Sequence, residues 1–134
     1  MARLKKHMIA AAGIGLLALA LVYGFTCLGI YRGMRDLAGE ASETYGGDSV
    51  TALMALLDDP NQGLPKRDRA VWALGQIGDD RALSVLKKYY TGEPCDHTRF
   101  LCQYELKKAI RKCRGNASLT SWVNALALRR PPER

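Results

Sequence analysis

Arg67-Asp68-Arg69-Ala70-Val71-Trp72-Ala73-Leu74-Gly75-Gln76-Ile77-Gly78-Asp79-Asp80-Arg81-Ala82-Leu83-Ser84-Val85-Leu86 is the stretch that decides the fold. Ala70, Val71, Leu74 and Ile77 recur at helical spacing, which gathers them on one face. Gly78 follows directly, where a residue without a Cβ takes the left-handed turn that ends a helix. Asp79 then offers a carboxylate to the free N–H groups of a second helix, with Ala82, Leu83, Leu86 and Tyr90 as its expected stripe before Gly92. Pro65 suits the first turn of the earlier helix, because the N–H that proline lacks has no helical partner there. The expectation is an antiparallel helix pair closed by a tight turn.

Working outward, Asp48 caps a helix over 49–57 with Val50, Leu53, Met54 and Leu57 on one side, and Asp58-Asp59-Pro60 stops it. A loop through Asn61-Gln62-Gly63-Leu64 joins it to the central pair. Beyond Gly92, Pro94 to Asp96 leads into a further helix ending near Arg114. Its Cys102, Leu106, Ala109, Ile110 and Cys113 form the apolar stripe, and Gly115 is its stop. A last short helix, 117–128, is expected to bury Trp122, Ala125 and Leu126, and the basic tail 129–134 is expected to be mobile. No strand pattern occurs, so the fold class is all-α, a short stack of antiparallel hairpins over 48–128.

The central stretch resembles the short HEAT-like repeat of phycobilisome-lyase-type proteins. The resemblance rests on a charged start at Arg67-Asp68-Arg69, a core of Leu74, Gly75, Ile77, Gly78 and Asp79, and a second helix opening Arg81-Ala82-Leu83. It covers one repeat, flanked by degenerate half-repeats: Ala109, Ile110 and Cys113 fall 36 positions after Ala73, Leu74 and Ile77. The segment Glu93 to Leu101 lengthens the second turn. The resemblance implies a scaffold, adaptor or assembly role; a minority of such proteins attach chromophores, and no residue here matches that role.

The N-terminal 30 residues read differently. Arg3, Lys5 and Lys6 form a basic leader, and Met8 to Ile30 holds no charged residue. Twenty-three helical residues reach about 34 Å, enough for the hydrocarbon core. Residues 1–30 are therefore expected as leader and transmembrane helix, with 31–47 a tether or helical extension that Gly33 and Gly39 weaken. A cleaved signal ending at Ala18-Leu19-Ala20 is the competing reading, but the apolar run continues past it to Ile30. Gly24-Phe25-Thr26 before Cys27 fits a lipidation signal poorly. Three basic residues before the span against Arg32 and Arg35 after it favour a single-pass membrane protein, N-terminus cytoplasmic and domain exported. Two small-xxx-small pairs, Ala11/Gly15 and Ala20/Gly24, are candidate transmembrane packing positions.

The net charge of +7 is unevenly placed: residues 35–98 carry 7 basic and 11 acidic side chains, and residues 99–134 carry 9 and 2. Lys107, Lys108, Arg111, Lys112 and Arg114 lie opposite the apolar stripe of their helix, either as a solvated face or as a docking face for an acidic protein or anionic headgroups. Nucleic acid is disfavoured, since no aromatic platform interleaves these charges. Cys95 and Cys102 are the expected disulfide if the domain is exported; the alternative is four unpaired small hydrophobes, with Cys113 a buried thiol and Cys27 in the span. A metal held by Cys95, His97, Cys102 and Cys113 fails on length, because eleven helical residues put Cys102 and Cys113 about 16 Å apart. Asn116-Ala117-Ser118 reads as a glycosylation sequon or a capping turn. No phosphate loop, haem motif or nucleophile elbow is present, and capping accounts for Asp58-Asp59 and Asp79-Asp80. No cofactor is expected. The sequence thus points to a non-catalytic membrane-anchored interaction protein, either an accessory subunit of a membrane complex partnered by other membrane subunits or a free-standing adaptor or assembly factor.

Overall fold

The computed structural model describes residues 2–96 and 98–115; His97, the Asn116 sequon, the expected last helix with Trp122, and the tail lie outside the described residues. Every described element is helical: α1 (Ala2–Tyr45), α2 (Ser49–Asp58), α3 (Leu64–Ile77), a 3₁₀ turn (Asp80–Ala82) running into α4 (Leu83–Tyr89), and α5 (Gln103–Cys113). The chain divides into two compact units, Met1–Arg32 and Gly33–Arg134.

In the first unit, Ile14, Leu17, Leu21 and Phe25 are all exposed, Phe25 by 80%. Among the described residues α1 holds the one helix long and apolar enough to cross a membrane, within Ala11–Tyr45 at a mean hydropathy of 2.1. Helix is the geometry such a segment needs, since it pairs every backbone polar group internally.

The second unit begins with the last turns of α1. Met34, Leu37, Ala38 and Ala41, at i, i+3, i+4 and i+7, are all buried, so this part of the expected tether contributes to the core. Burying side chains of this size contributes about 1.5–3 kcal/mol each. That outweighs the roughly 1 kcal/mol that each of Gly33 and Gly39 costs a helix. Gly46 and Gly47, both at positive φ, end α1, and Asp48 caps α2 by accepting the Thr51 N–H at 3.1 Å. Helix α2 buries Ala52 and Leu56 as well as Val50, Leu53 and Leu57, whereas Met54 is half-buried. Its buried arc is wider than the sequence stripe because α3 and α4 both pack on it.

Gly78 takes φ 71° and its N–H meets the Leu74 carbonyl at 2.9 Å, ending α3 as the sequence requires. Asp79 caps the next element, but that element opens as a 3₁₀ turn. The tighter turn shifts the phase of α4, so Ala82, Val85 and Leu86 are buried while Leu83 and Tyr89 are half-buried and Tyr90 is exposed. The expected stripe is corrected accordingly. Helices α3 and α4 run antiparallel, with the Arg67 guanidinium 5.1 Å over the Tyr89 ring, yet most of their packing goes elsewhere: each lies chiefly against α2 and α5.

Alternate helices run in the same direction. Asp48 pairs with Arg81 at 2.7 Å and Asp58 with Lys88 at 2.7 Å, which aligns α2 with α4 start to start and end to end. Asp68 bonds the Cys102 N–H at 2.8 Å and Gln76 bonds Lys112 at 3.0 Å, which aligns α3 with α5 in the same way. The result is two layers of hairpin helices.

Of the described glycines, Gly75 is the most crowded: an added Cβ would lie 2.9 Å from both Cα and Cβ of Ala109. Gly75→Ala is expected to destabilise the domain by about 1–2 kcal/mol, the overpacking cost exceeding the helix-propensity gain. Gly39→Ala, with nothing within 4 Å of the new Cβ, is expected to be neutral or stabilising by up to about 1 kcal/mol. Chemical unfolding followed by circular dichroism reads both, and an equal effect at the two positions refutes the close contact.

Arg81 also bridges Asp79 at 3.0 Å, and the hydrogen bonds from Thr51 and Arg81 lower the Asp48 carboxyl from 3.8 to about 2. A carboxyl whose pKa falls on folding stabilises the fold above its unfolded value and loses that contribution on protonation. The Asp48 contribution is therefore expected in full above pH 3.8 and to vanish as the pH falls through about 2. Acid titration of Arg81→Ala should show a weaker pH dependence over that window than the unmodified protein.

Candidate interaction surface

Helix α5 is polar on one side and buried on the other, where Leu106, Ala109, Ile110 and Cys113 face the core. The five basic residues opposite do not behave alike. Lys107, Arg111 and Arg114 are exposed and fall at i, i+4 and i+7, forming one stripe. Lys108 is half-buried beside Glu105 at 3.5 Å. Lys112 donates to Gln76 Oε1 at 3.0 Å, and burial, reinforced by the neighbouring Lys108 charge, lowers its pKa. The exposed cations of the face expected from the sequence are thus Lys107, Arg111 and Arg114, with Lys108 half-buried against its own helix and Lys112 turned toward α3.

Two exposed aromatic side chains lie around the start of α5 in the sequence. Tyr104 is 66% exposed with Lys108 Nζ 5.9 Å from its ring, and Phe100 is 49% exposed beneath the Arg99 guanidinium at 5.5 Å. Tyr104 and Lys107 line a shallow depression together with Tyr90, Pro94 and Cys95. Tyr104 carries no signal in the sequence, because one aromatic off the apolar stripe has no periodic partner.

The segment leading into α5 is held by groups that lie far away in sequence or are buried. Cys102 sits at the N-cap position and makes no side-chain cap. Asp68, a turn into α3, supplies the acceptor for its N–H instead. Buried Gln103 accepts from the Thr91 and Gly92 N–H groups at 2.9 and 3.3 Å and donates to the Tyr89 and Leu101 carbonyls at 3.2 and 3.1 Å. One side chain therefore fastens both ends of the insert. Asp96 closes a local turn by accepting from the Thr98 N–H and hydroxyl at 3.0 and 2.6 Å.

The structure places Cys95 and Cys102 together, sulfurs 3.6 Å apart, both as free thiols. Cys113 is buried with its thiol toward the Leu74 carbonyl at 3.6 Å, and burial pushes its pKa up to about 11. Among the described residues no group of three or more His, Cys, Asp or Glu side chains is placed to hold a metal.

Residues 66–91 match the PBS lyase HEAT-like repeat. The match begins one residue before Arg67 and ends at Thr91, so the repeat consists of α3, the Gly78-Asp79 turn and α4, and it includes Asp68 and Gly75. No curated protein and no solved structure matches the chain. Such repeats generally serve protein–protein interaction, and the repeat here brings that coarse expectation.

In the first unit Ala11, Gly15, Ala20 and Gly24 are exposed, and a Cβ added at Gly15 or Gly24 would meet nothing within 4 Å. The two pairs do not form one seam: nine helical residues rotate Ala20 by about 180° from Ala11. They therefore address opposite sides of the helix.

Asp68→Ala should cost about 1–2 kcal/mol by leaving the α5 N-terminus without its acceptor, and Asp68→Asn, which keeps an oxygen, should cost less. Hydrogen exchange is expected to rise first in α5. Unchanged protection there would refute Asp68 as the cap.

Proposed function

We propose that this protein is a non-catalytic, membrane-anchored interaction module, an accessory or structural subunit of a larger membrane protein complex. The observation that carries this reading is the combination, in one chain of 134 residues, of a long helix with exposed apolar side chains and a HEAT-like hairpin with an adjoining exposed aromatic and basic surface. The anchor packs against helices of other subunits through its small residues. Small side chains permit close backbone approach within lipid, and opposite-facing pairs suit a helix with neighbours on two sides. Tyr104, Phe100 and the Lys107–Arg111–Arg114 stripe engage an acidic protein surface, in keeping with the aromatic and cationic chemistry of interface anchors. The basic leader stays cytoplasmic and the domain is exported, following the excess of positive charge before the span.

The second reading is a free-standing tethered adaptor, and the same stripe of exposed cations favours it, since such charges steer transient partners. Cross-linking intact cells with a membrane-impermeant lysine reagent, followed by mild-detergent purification, separates the readings. Stoichiometric co-migration with one set of membrane proteins, linked through Lys107, is the expected outcome. A monomer whose partners wash off with salt establishes the adaptor instead. Co-migration without any outer-face cross-link reverses the orientation.

A further inference from the structure

We propose that Cys95 and Cys102 form a dithiol–disulfide couple, modified by exchange with an external disulfide that Cys95 meets first. The placement is specific: the two sulfurs lie 3.6 Å apart, Cys95 exposed on the wall of the shallow depression and Cys102 buried behind it. A disulfide needs about 2.0 Å between sulfurs, so roughly 1.6 Å of closure is required. The partner that moves is Cys95. Its segment has no regular secondary structure, whereas the Cys102 backbone is fixed through its N–H to Asp68 and flanked by the clamped Gln103.

The two thiols differ in chemistry as well as access. The Tyr104 N–H, in the first turn of α5, donates to Cys95 Sγ at 3.3 Å, which leaves that exposed sulfur facing solvent on its other side. Cys102 is held in the thiol form by burial, its pKa raised above the ordinary value. Cys113 is buried and directed at a carbonyl, and Cys27 lies in the apolar stretch of α1. The exchange then runs in two steps. Cys95 thiolate attacks one sulfur of R–S–S–R, forming Cys95–S–S–R and releasing R–S⁻, which takes up the proton lost by Cys95. Cys102, deprotonated by water, attacks Cys95 Sγ and expels the second R–S⁻, which is protonated in turn. The protein loses two protons and two electrons, and the external disulfide, taking up both, becomes two thiols.

The proposal does not depend on the membrane-subunit reading, and its test uses the full chain alone in detergent. Reduced protein is incubated with oxidised glutathione, quenched with an alkylating reagent, and mapped without reduction. A linked peptide joining Cys95 to Cys102 is expected, with Cys27 and Cys113 alkylated after denaturation. Before oxidation, Cys95 should alkylate at least tenfold faster than Cys102. In Cys102→Ser, the Cys95 mixed disulfide with glutathione should accumulate instead of resolving; circular dichroism checks that this variant keeps its helices, and the wild-type map stands without it. Two unlinked thiols after oxidation, a link from Cys95 to any other cysteine, or faster alkylation of Cys102 overturns the proposal.

Discussion

The backbone-level contact between Gly75 and Ala109 is the constraint on which the rest of the domain depends. The short α3–α4 connection fixes its own geometry, but α5 follows a long insert and receives no register from a tight turn. Its register comes from meeting α3 where one helix has no Cβ and the other only a methyl group. With that point set, the Asp68 carboxylate lies at the first N–H of α5, Gln76 reaches Lys112, and the Cys113 thiol faces the Leu74 carbonyl. All three align α3 and α5 in the same direction. That alignment in turn presents Tyr104 and the Lys107–Arg111–Arg114 stripe together on the outer side.

The polar links between helices specify this arrangement more than they stabilise it. Arg81 with Asp48, Lys88 with Asp58, and Lys66 with Glu40 are all substantially exposed, so each contributes about 0–1 kcal/mol. The buried leucines of α1, α2, α3 and α5 stabilise the domain more, by roughly 1.5–3 kcal/mol for each side chain. Apolar burial is indifferent to small slips of one helix along another, whereas an ion pair at each end of α2 and α4 is not. Buried Gln103 is an exception in kind. It satisfies four backbone groups at once, and leaving buried amides unpaired costs about 1–3 kcal/mol per group.

The sequence made the helices, the Gly78-Asp79 turn and the stripe of α5 legible because each depends on residues within one or two turns of one another. It misled where distant neighbours decide. Residues 31–47 read as a tether or helical extension, and the burial of 34–41 depends on partners the pattern does not show; the phase of α4 depends on a 3₁₀ turn that the residue pattern does not distinguish from α. Asp68 looked like part of a charged helix start, since its acceptor role depends on a residue 34 positions later. The five-residue basic face was legible as a face, but the engagement of Lys112 by Gln76 and of Lys108 by Glu105 was not. The Ala11/Gly15 and Ala20/Gly24 pairs needed only helical arithmetic to be seen as opposed.

The charge near α5 is unlike that of the rest of the second unit. Residues 35–98 carry a net −4, with Glu40, Asp48, Asp58 and Asp79 in ion pairs to Lys66, Arg81 and Lys88. Exposed charges are largely screened beyond a Debye length of roughly 8–10 Å, so the local charge of a surface decides what it meets. What extends into solvent from α5 is dominated by Lys107, Arg111 and Arg114. A surface of this kind accelerates encounter with an acidic partner and rejects a basic one, while lasting affinity must come from apolar area. Tyr104, which lines the depression together with Lys107 and has Lys108 Nζ near its ring, provides such area beside the stripe.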